Sequence, residues 1–180
     1  MYIIDSSCPR PTLFPYTTLF RSEDNLKACL ETLTFADEIV VVLDKCTDGS
    51  KAIAAHFTDK LIEGSWDIEG PRRHAGIDVC TGDWILEVDA DERVSGELAA
   101  EITEKIQTAP FGHFLIPYDN YVGDHLVRYG WGASWGVSAT VRLYAQGAKL
   151  WGAQRIHPGV ELQGERMWLE NRMIHYVDRD

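Results

Sequence analysis

The sequence predicts an α/β fold: a mostly parallel sheet with helices on both faces, followed by an antiparallel, loop-rich C-terminal half. The continuous apolar run DEIVVVLD predicts a strand that is buried on both faces, as in parallel sheets, and DWILEVDADE is a second apolar strand that ends in acids. Amphipathic helices alternate with such strands up to about residue 109, which is typical of right-handed βαβ units. Beyond Pro110 this alternation stops, and short β-like pieces lie among Gly and Trp.

The first predicted helix spans residues 23–34. Its apolar side chains recur with the spacing of one helical face, at Leu26, Cys29, Leu30 and Leu33. A buried strand over 37–44 follows, and then a second helix that Thr47 or Asp48 can cap. Buried, reduced thiols are the ordinary state of cysteines on apolar helix faces, which fits a cytoplasmic protein.

Four further elements complete the first part. A short strand covers 59–64, and the next helix, over 71–82, has Pro near its first turn and Gly just past its end. The strand over 83–92 ends in acids, and a helix over 95–109 takes Ser95 as its cap. The later β-like pieces cover 113–122, 138–145, 155–162 and 172–177.

Charge and composition exclude several classes of function. The 180 residues carry a formal net charge of −11, which argues against nucleic-acid binding because phosphate contacts need clustered Lys and Arg. None of the four cysteines belongs to a CxxC pair, which argues against a zinc site. No apolar run reaches the roughly 18 residues of a membrane span.

Acidic side chains gather where two predicted parallel strands end. Asp44 ends one strand, and Asp89, Asp91 and Glu92 end the other in the motif EVDADE. Open α/β sheets bind ligands outside the carboxyl ends of their strands. Asp89 and Asp91 lie two apart on extended chain and point the same way, so a hard cation between them would relieve their repulsion. The alternative is a solvated acidic loop, since most charged side chains are simply exposed.

Two segments, DEIVVVLDKCTDGS and GPRRHAGIDVCTGDWILEVDADE, resemble the nucleotide-sugar half of family 2 glycosyltransferases of the GT-A fold. The tail, from PYDNYVGDHL to HYVDRD, is similar to a narrower branch that adds β-linked glucose to an inner-core heptose of lipopolysaccharide. The resemblance implies an inverting enzyme that transfers glucose from a UDP-sugar to a lipopolysaccharide-core or related glycan acceptor. It also implies a divalent cation, Mg or Mn, and a cytoplasmic location that allows peripheral contact with the inner face of the inner membrane.

The same resemblance implies roles for individual residues. Asp44 corresponds to the residue that hydrogen-bonds uracil, and Arg73 to a basic residue near the phosphates. Asp89 corresponds to the ribose and phosphate contact, and Asp91 to the metal ligand that follows it. His175 resembles a histidine that reaches the metal in some GT-A enzymes. Two simpler alternatives remain open, an arginine side chain that extends to solvent and a histidine that belongs to the core.

The general base and the acceptor site follow less directly from the resemblance. His157 matches a VHE-like turn, but Pro158 stands where that turn carries its acid. Three carboxylates are therefore candidates for the base: Glu161, Asp119 and Asp124. Acceptor binding is predicted for Trp131, Trp135 and His157, the two tryptophans lying in the Gly-rich segment YGWGASWG. His74 stands where the family has Asn, so no role is carried over to it.

The segment Thr12–Ser22, TLFPYTTLFRS, stands where this family has a strand and an acidic turn before the first helix. It resembles the translated sequence of a widely used sequencing adapter. We therefore expect residues 1–22 to be artefactual and the central strand to be missing, which would leave this chain inactive. Residues 23–109 would form the nucleotide-sugar half, and 110–180 the acceptor-side half of the same domain, cut short at its end.

Two functions from other classes compete with this interpretation. A nucleotidyltransferase also has acidic residues at the end of a strand, but it would require a Gly-rich basic loop after its first strand. A non-catalytic sugar-nucleotide-binding module has no need for Asp44, Arg73 and the Asp89–Asp91 pair together. Cation-dependent UDP binding favours the glycosyltransferase, whereas a preference for nucleoside triphosphates favours the nucleotidyltransferase.

Overall fold

The structure is a computed structural model that describes residues 2–7, 22–127, 138–154 and 159–176. Its helices are Ser22–Glu31 (α1), Ser50–Ala54 (α2), Glu69–Ile77 (α3) and Gly96–Lys105 (α4). The strands of the first half are Tyr2–Ser7 (β1), Ile39–Asp44 (β2), Leu61–Gly64 (β3), Trp84–Asp89 (β4) and Glu92–Val94 (β5). Those of the second half are Gly112–Val122 (β6), His125–Leu126 (β7), Ala139–Ala145 (β8), Lys149–Trp151 (β9), Val160–Leu162 (β10), Glu165–Trp168 (β11) and Met173–Tyr176 (β12).

Most of the described strands belong to one mixed sheet. Its order is β3-β2-β1-β4-β8-β6-β12-β5, and β7 and β11 also pair with β6. The strands β3, β2, β1 and β4 run parallel to one another. This confirms the α/β fold with a parallel first half that the alternation of strands and helices predicts. The strands β9 and β10 form a separate antiparallel hairpin.

Strand β1 occupies the central position of the parallel part. All six of its residues pair with β2 on one side, and four of them also pair with β4 on the other. The expectation that the sheet lacks its central strand is therefore wrong. The run YIIDSS contains adjacent β-branched residues that suit a strand with neighbours on both sides. The sequence interpretation misses it because it discards residues 1–7 together with the segment that follows them.

The second half is less uniformly antiparallel than the sequence predicts. Strand β8 is antiparallel to both β4 and β6, but β11 and β12 run parallel to β6. The eleven-residue β6 makes this possible, because one of its edges is long enough to pair with β11 and then with β12. Strand β12 also pairs with β5, which comes just after β4 in the chain. The end of β12 therefore lies near the acidic end of β4.

Two apolar clusters cover the two faces of the sheet. The larger cluster contains the buried sides of α1 and α4, and the smaller one includes Ile77 of α3. Alternate residues of β2 divide between them, with Val41 and Leu43 in the larger cluster and Val40 and Val42 in the smaller. This is the double burial that the run IVVVLD predicts.

The buried side of α1 has the composition that the helical period predicts. Leu26, Cys29 and Leu30 of α1 are fully buried, and so is Leu33 in the turn that follows, because the helix ends at Glu31 and not at residue 34 as predicted. Cys80 is buried as well, and burial raises the pKa of its thiol to about 12. Burial also raises the pKa of Cys29 well above its ordinary value. Both cysteines are thus the inert core thiols that the sequence predicts.

The starts of α2 and α4 show how local residues fix the helices. Ser95 Oγ accepts a hydrogen bond from the amide of the first turn of α4 at 3.1 Å, as predicted. At α2, Asp48 accepts from the amide of Ser50 at 3.1 Å. Glu23 of α1 accepts from the amide of Gly49 at 2.6 Å, so two carboxylates serve the start of this short helix.

Candidate functional site

The carboxylates that end β2 and β4 lie at the same edge of the sheet, with β1 between them. Asp44 is opposite Ser7 of β1, and Asp89 is opposite Asp5. Since these strands are parallel, both side chains stand at the carboxyl edge where open α/β sheets bind their ligands. The structure thus brings together the two residues on which the sequence interpretation most depends.

Helix α3 contacts both carboxylates through two consecutive arginines. Arg72 Nη1 lies 3.3 Å from Asp44 Oδ2, and Arg73 Nη1 lies 2.8 Å from Asp89 Oδ1. Arg73 also donates to Glu69 on its own helix. Its side chain is only 6% exposed, so the alternative in which it extends to solvent is wrong. These contacts hold Arg73 against the acidic end of β4.

A tryptophan adjoins the buried Asp44 carboxylate. The amide of Trp66 donates to Asp44 Oδ1 at 3.0 Å. The indole ring lies against Gly64, where an added Cβ would be 2.2 Å from the ring atom Cη2. Gly64 is the residue of β3 that lies opposite Asp44, so the ring and the carboxylate are neighbours. Sequence reasoning missed this role for Trp66, because no spacing in the sequence places it beside Asp44.

Asp89 is held between two guanidinium groups. Arg73 donates to Oδ1, and Arg142 of β8 donates to Oδ2. Burial by itself would raise the pKa of Asp89, but the charges of Arg142 and Arg73 outweigh it and hold that pKa well below its usual range. Asp89 is therefore ionised at neutral pH. Arg142 is a residue that sequence reasoning missed, since it lies 53 positions further along the chain.

Glu92 completes this charged group from β5. Its Oε1 accepts from Arg142 at 2.7 Å and from the hydroxyl of Tyr118 at 2.9 Å, and its Oε2 accepts from the amide of Asp89 at 2.8 Å. Burial is the main reason that the pKa of Glu92 is raised, to about 6. The nearby charge of Asp89 acts in the same direction, while Arg142 opposes it.

Asp91 lies in the turn that follows β4, and its carboxylate is turned toward His175 of β12. His175 Nε2 lies 3.5 Å from Asp91 Oδ2, and the Asp91 side chain is 42% exposed. On the other side of the ring, His175 Nδ1 lies 2.9 Å from Asn120 Oδ1. Because an amide oxygen only accepts, Nδ1 carries the proton of the neutral ring and Nε2 is turned toward Asp91. The hydrogen bond with Asp91 raises the pKa of His175, because it favours the charged ring.

This pair fits part of a cation site. One carboxylate oxygen and one imidazole nitrogen oriented by an outer hydrogen bond are suitable ligands for a divalent ion such as Mn²⁺. Within residues 2–7, 22–127, 138–154 and 159–176, the structure has no cluster of three or more His, Cys, Asp or Glu side chains arranged around a metal position. The remaining ligands would therefore have to come from a bound molecule or from water.

The candidates for the general base lie on β6, on β10 and in the turn after β6. Asp119 is next to Asn120 on β6, so its side chain projects from the opposite face, where it lies 3.7 Å from Arg172. Glu161 is exposed on β10. Asp124 is exposed in the turn between β6 and β7. The predicted acceptor residues Trp131, Trp135 and His157 lie outside the described residues.

A second charged cluster lies just behind the site, at the middle of β4. Glu87 is fully buried and forms an ion pair with Lys149 of β9. It also accepts from Trp151 Nε1 at 2.7 Å and from the hydroxyl of Tyr144 at 3.1 Å. The guanidinium of Arg73 lies 5.3 Å from the centre of the Trp151 ring. The hairpin that carries Lys149 and Trp151 is thereby attached to the same arginine that contacts Asp89.

The fold is an α/β fold with a group of charged side chains at the carboxyl edge of its parallel strands, and comparison with known sequences gives the family. The profile of Glycosyl transferase family 2 matches residues 17–142. The chain belongs to this family.

Three curated relatives show how far the similarity extends. An uncharacterized glycosyltransferase of Rickettsia felis is 39% identical over 66 residues, which cover 37% of this chain and 23% of the relative. The lipopolysaccharide core biosynthesis glycosyltransferase LpsC of Rhizobium meliloti is 23% identical over 169 residues, 87% of this chain and 59% of LpsC. The uncharacterized glycosyltransferase YibD of Escherichia coli is 31% identical over 85 residues, 42% of this chain and 25% of YibD. The chain spans only a part of each of these relatives.

Among solved structures, the chain is similar to residues 1–349 of S. aureus TarS, crystallised in complex with UDP-GlcNAc. The similarity covers 99% of this chain and 58% of that one, with a TM-score of 0.58 and 16% sequence identity. At this identity the comparison establishes the fold, which is the GT-A type that the sequence motifs imply. None of the helices in the described ranges has the length and hydropathy needed to cross a membrane.

Proposed function

We propose that this chain carries the donor site of an inverting, metal-dependent glycosyltransferase that transfers glucose from a UDP-sugar to a lipopolysaccharide-core or related glycan. The observation that carries this proposal is the pair of arginines on α3, which contact the strand-end carboxylates Asp44 and Asp89. Helix α3 thereby connects the position expected for the nucleobase with the position expected for the phosphates. The occupied central strand β1 removes the reason to expect an inactive chain.

The donor would bind along the carboxyl edge of β2, β1 and β4. Asp44 would accept the N3 proton of uracil, and the adjacent indole of Trp66 provides an aromatic surface for the base. Both oxygens of Asp44 already accept hydrogen bonds, from Trp66 and Arg72, so each would use a second lone pair or exchange a partner on binding. Asp89 and Arg73 would face the ribose and the diphosphate. The similar fold of TarS was crystallised with UDP-GlcNAc, which supports a nucleotide-sugar donor here.

Asp91 and His175 would hold a Mg²⁺ or Mn²⁺ ion together with diphosphate oxygens. Once bound, such an ion neutralises the charge that builds up on the departing UDP. The hydrogen bond that His175 Nδ1 donates to Asn120 Oδ1 keeps the ring in the orientation that this role needs. Arg73, which donates to Asp89 in the present structure, would stabilise the same leaving group.

In the proposed reaction, an acceptor hydroxyl gives its proton to a carboxylate base while its oxygen attacks the anomeric carbon. The bond from that carbon to the β-phosphate oxygen breaks, and UDP leaves with the electron pair, so the anomeric configuration inverts. Glu161 is favoured over Asp119 as the base. Glu161 lies on the hairpin whose Trp151 ring packs on Arg73, whereas Asp119 projects from the opposite face of β6 and lies near Arg172.

The acceptor side would be formed by residues 110–180, and the donor side by residues 23–109. The extended similarity to LpsC, whose name assigns it to lipopolysaccharide core biosynthesis, supports a lipopolysaccharide-core acceptor. Trp131, Trp135 and His157 remain the proposed acceptor-binding residues. The proposed location is cytoplasmic, with peripheral contact at the inner face of the inner membrane where a lipid-linked acceptor would lie.

Isothermal titration calorimetry with nucleotides tests this function. We expect the chain to bind UDP more tightly with Mn²⁺ or Mg²⁺ than with EDTA, and to prefer UDP to GDP and to UTP. UDP-glucose should then be hydrolysed slowly in the absence of an acceptor, with water in place of the acceptor hydroxyl. A clear preference for nucleoside triphosphates would favour a nucleotidyltransferase, and the absence of any nucleotide binding would contradict the proposal.

A further inference from the structure

We propose that Arg142 is a positioning residue of the transfer reaction, which fixes Asp89 in the orientation that its nucleotide contact requires. This inference rests on the function proposed above. Arg142 belongs to β8, in the acceptor-side half, and Asp89 to β4, in the donor-side half. The acceptor-side half would thus contribute a side chain that positions Asp89 of the donor site.

Arg142 takes part in a closed ring of hydrogen bonds. It donates through Nη2 to Asp89 and to Glu92, and through Nε to the hydroxyl of Tyr118 at 2.8 Å. The Tyr118 hydroxyl donates to Glu92, and Glu92 in turn accepts from the amide of Asp89. The backbone and the carboxylate of Asp89 are therefore both fixed by the same ring. Four different strands, β4, β5, β6 and β8, supply its members.

The ring leaves Asp89 little rotational freedom. Oδ1 accepts from Arg73 and Oδ2 from Arg142, so the two guanidinium groups define the plane of the carboxylate. Each oxygen retains a second lone pair, with which Asp89 can still accept from a ribose hydroxyl. Asp91, two residues further on, projects instead toward His175. Asp89 is thereby fixed by arginines, whereas Asp91 is available to a cation.

The geometry explains why the residue is an arginine. A guanidinium presents several donors in a planar fork, and Arg142 uses this fork to reach three different oxygen atoms. A lysine at this position would keep the charge but would lack the fork. The buried Glu92 and the partly buried Asp89 are matched in number by Arg73 and Arg142, so these four side chains carry no net charge when all are ionised.

The competing explanation is that Arg142 only balances the charge of the neighbouring acids. Variants in which charges of both signs are removed together distinguish this explanation from the positioning of Asp89. Arg142→Met alone leaves the buried Glu92 and the partly buried Asp89 with a single arginine, and that variant is expected to fold poorly. Arg142→Met combined with Glu92→Gln removes one charge of each sign and keeps an acceptor for Tyr118. We expect the double variant to unfold near the wild-type temperature but to bind UDP with Mn²⁺ at least about tenfold more weakly than Glu92→Gln alone.

Arg142→Lys provides a second variant that retains the charge. It is expected to fold and to bind UDP with Mn²⁺ about as weakly as the double variant, because Asp89 loses its directed partner. Arg166→Met is the matched control, since Arg166 is exposed on β11 beside Trp168, and its UDP affinity should equal that of the wild type. Restoration of UDP binding in the folded double variant, to the level of Glu92→Gln alone, would show that Arg142 only balances charge and would overturn the positioning role. Wild-type UDP affinity in Arg142→Lys would overturn it as well.

The same calorimetric series separates this inference from the proposed function. If the wild type binds no UDP, the proposed function is wrong and the positioning role is wrong with it. If the wild type and Arg166→Met bind UDP and the two Arg142 variants bind it equally well, the inference alone is overturned. Weak UDP binding that is confined to folded variants of Arg142 supports it.

Discussion

Lys149 and Glu87 form an ion pair inside the protein, with side chains that are 4% and 0% exposed. The pair connects β9 of the acceptor-side hairpin to the middle of β4. Lys149 Nζ also donates to the carbonyl of Val141 at 2.8 Å and lies 4.4 Å from the centre of the Trp151 ring. Burial would by itself raise the pKa of Glu87, but Lys149 foremost, and then Arg73 and Arg142, keep that pKa lowered.

Removal of one partner of this pair should be strongly destabilising. Glu87→Gln leaves the Lys149 ammonium buried without its counter-charge, so we expect a loss of about 3–5 kcal/mol in the free energy of unfolding. Urea denaturation followed by circular dichroism measures this loss. The matched control is the exposed pair Lys51–Glu63, where Glu63→Gln should cost less than about 1 kcal/mol. Equal effects in the two pairs would contradict the role given to Glu87.

The sequence contains only a weak signal for this cluster. Glu87 interrupts the apolar run WILEVD, and a single acid in a doubly buried strand indicates that a partner must exist. The partner itself is not predictable, because Lys149 lies 62 positions away and follows a strand whose pairing is set by the whole sheet. Arg142 escapes prediction for the same reason. Asp44 and Asp89, in contrast, are predictable because a strand end is a local feature of the sequence.

Asp91→Ala should remove the effect of the cation on UDP binding. Asp91 is one of two protein ligands proposed for the ion, and its side chain is 42% exposed, so the variant should fold normally. We expect Mn²⁺ to improve UDP affinity at least about tenfold less than it does for the wild type. Calorimetry with and without Mn²⁺ makes this comparison, and Asp78→Ala, an exposed acid at the end of α3, is the control. An unchanged Mn²⁺ effect in Asp91→Ala would exclude Asp91 as a ligand.

Asp44→Asn should change the choice of nucleobase. A carboxylate only accepts, which suits the N3–H of uracil, whereas an amide can also donate to the unprotonated N3 of cytosine. We therefore expect the ratio of UDP to CDP affinity to fall by about tenfold or more, since a good directed hydrogen bond contributes about 1.5–3 kcal/mol when one partner is charged. Competition calorimetry measures the ratio. Asp67→Asn, near Lys45 at the surface, should leave it unchanged. If Asp44→Asn keeps the wild-type ratio of UDP to CDP affinity, the nucleobase does not bind at Asp44.

The fold is largely predictable, and the exceptions have physical causes. The helical period of apolar residues identifies α1, and runs that are apolar on both faces identify β2 and β4, because the local sequence pattern shows which faces are buried. The parallel pairing of β11 and β12 with β6 is not predictable, since short strands with mixed faces do not specify the direction of their neighbours. Strand β1 is not predicted for another reason: its six residues are set aside together with the adapter-like segment that follows them.

The pH dependence of the free energy of unfolding should show how much the ionised side chain of Glu101 contributes to stability. Its carboxylate accepts from the amides of Glu170 and Asn171, both at 2.8 Å. Burial raises the pKa of Glu101, but these amides outweigh it, so the pKa is lowered overall. A lowered folded-state pKa gives stability that is present above the unfolded-state value, near 4.3, and is lost as the pH falls through the folded-state value.

Glu101→Gln should therefore be less stable than the wild type at pH 7, by about 1 kcal/mol, and the difference should shrink below about pH 4. Urea unfolding at a series of pH values measures both quantities. Glu104→Gln, on the same helix, is the control and should show no such convergence. If the difference in free energy of unfolding between Glu101→Gln and the wild type stays constant from pH 7 to pH 3, the charge of Glu101 does not contribute to stability.

The last prediction separates β1 from the segment Thr12–Ser22. Ile4 lies opposite Val41 of β2 and Val88 of β4, so proline at this position removes an amide from the middle of the sheet and places its ring against a neighbouring strand. We expect Ile4→Pro to cost several kcal/mol, and each 1 kcal/mol lowers the unfolding temperature by about 2–4 °C in a chain of this size. Replacement of Thr12–Arg21 by Gly and Ser residues of equal number should change that temperature by no more than about 2–4 °C, because the sequence predicts that this segment is artefactual. Differential scanning calorimetry of the three proteins decides the question. If the Gly and Ser replacement unfolds as early as Ile4→Pro, then TLFPYTTLFRS is a working part of the fold, and its resemblance to an adapter has no structural meaning.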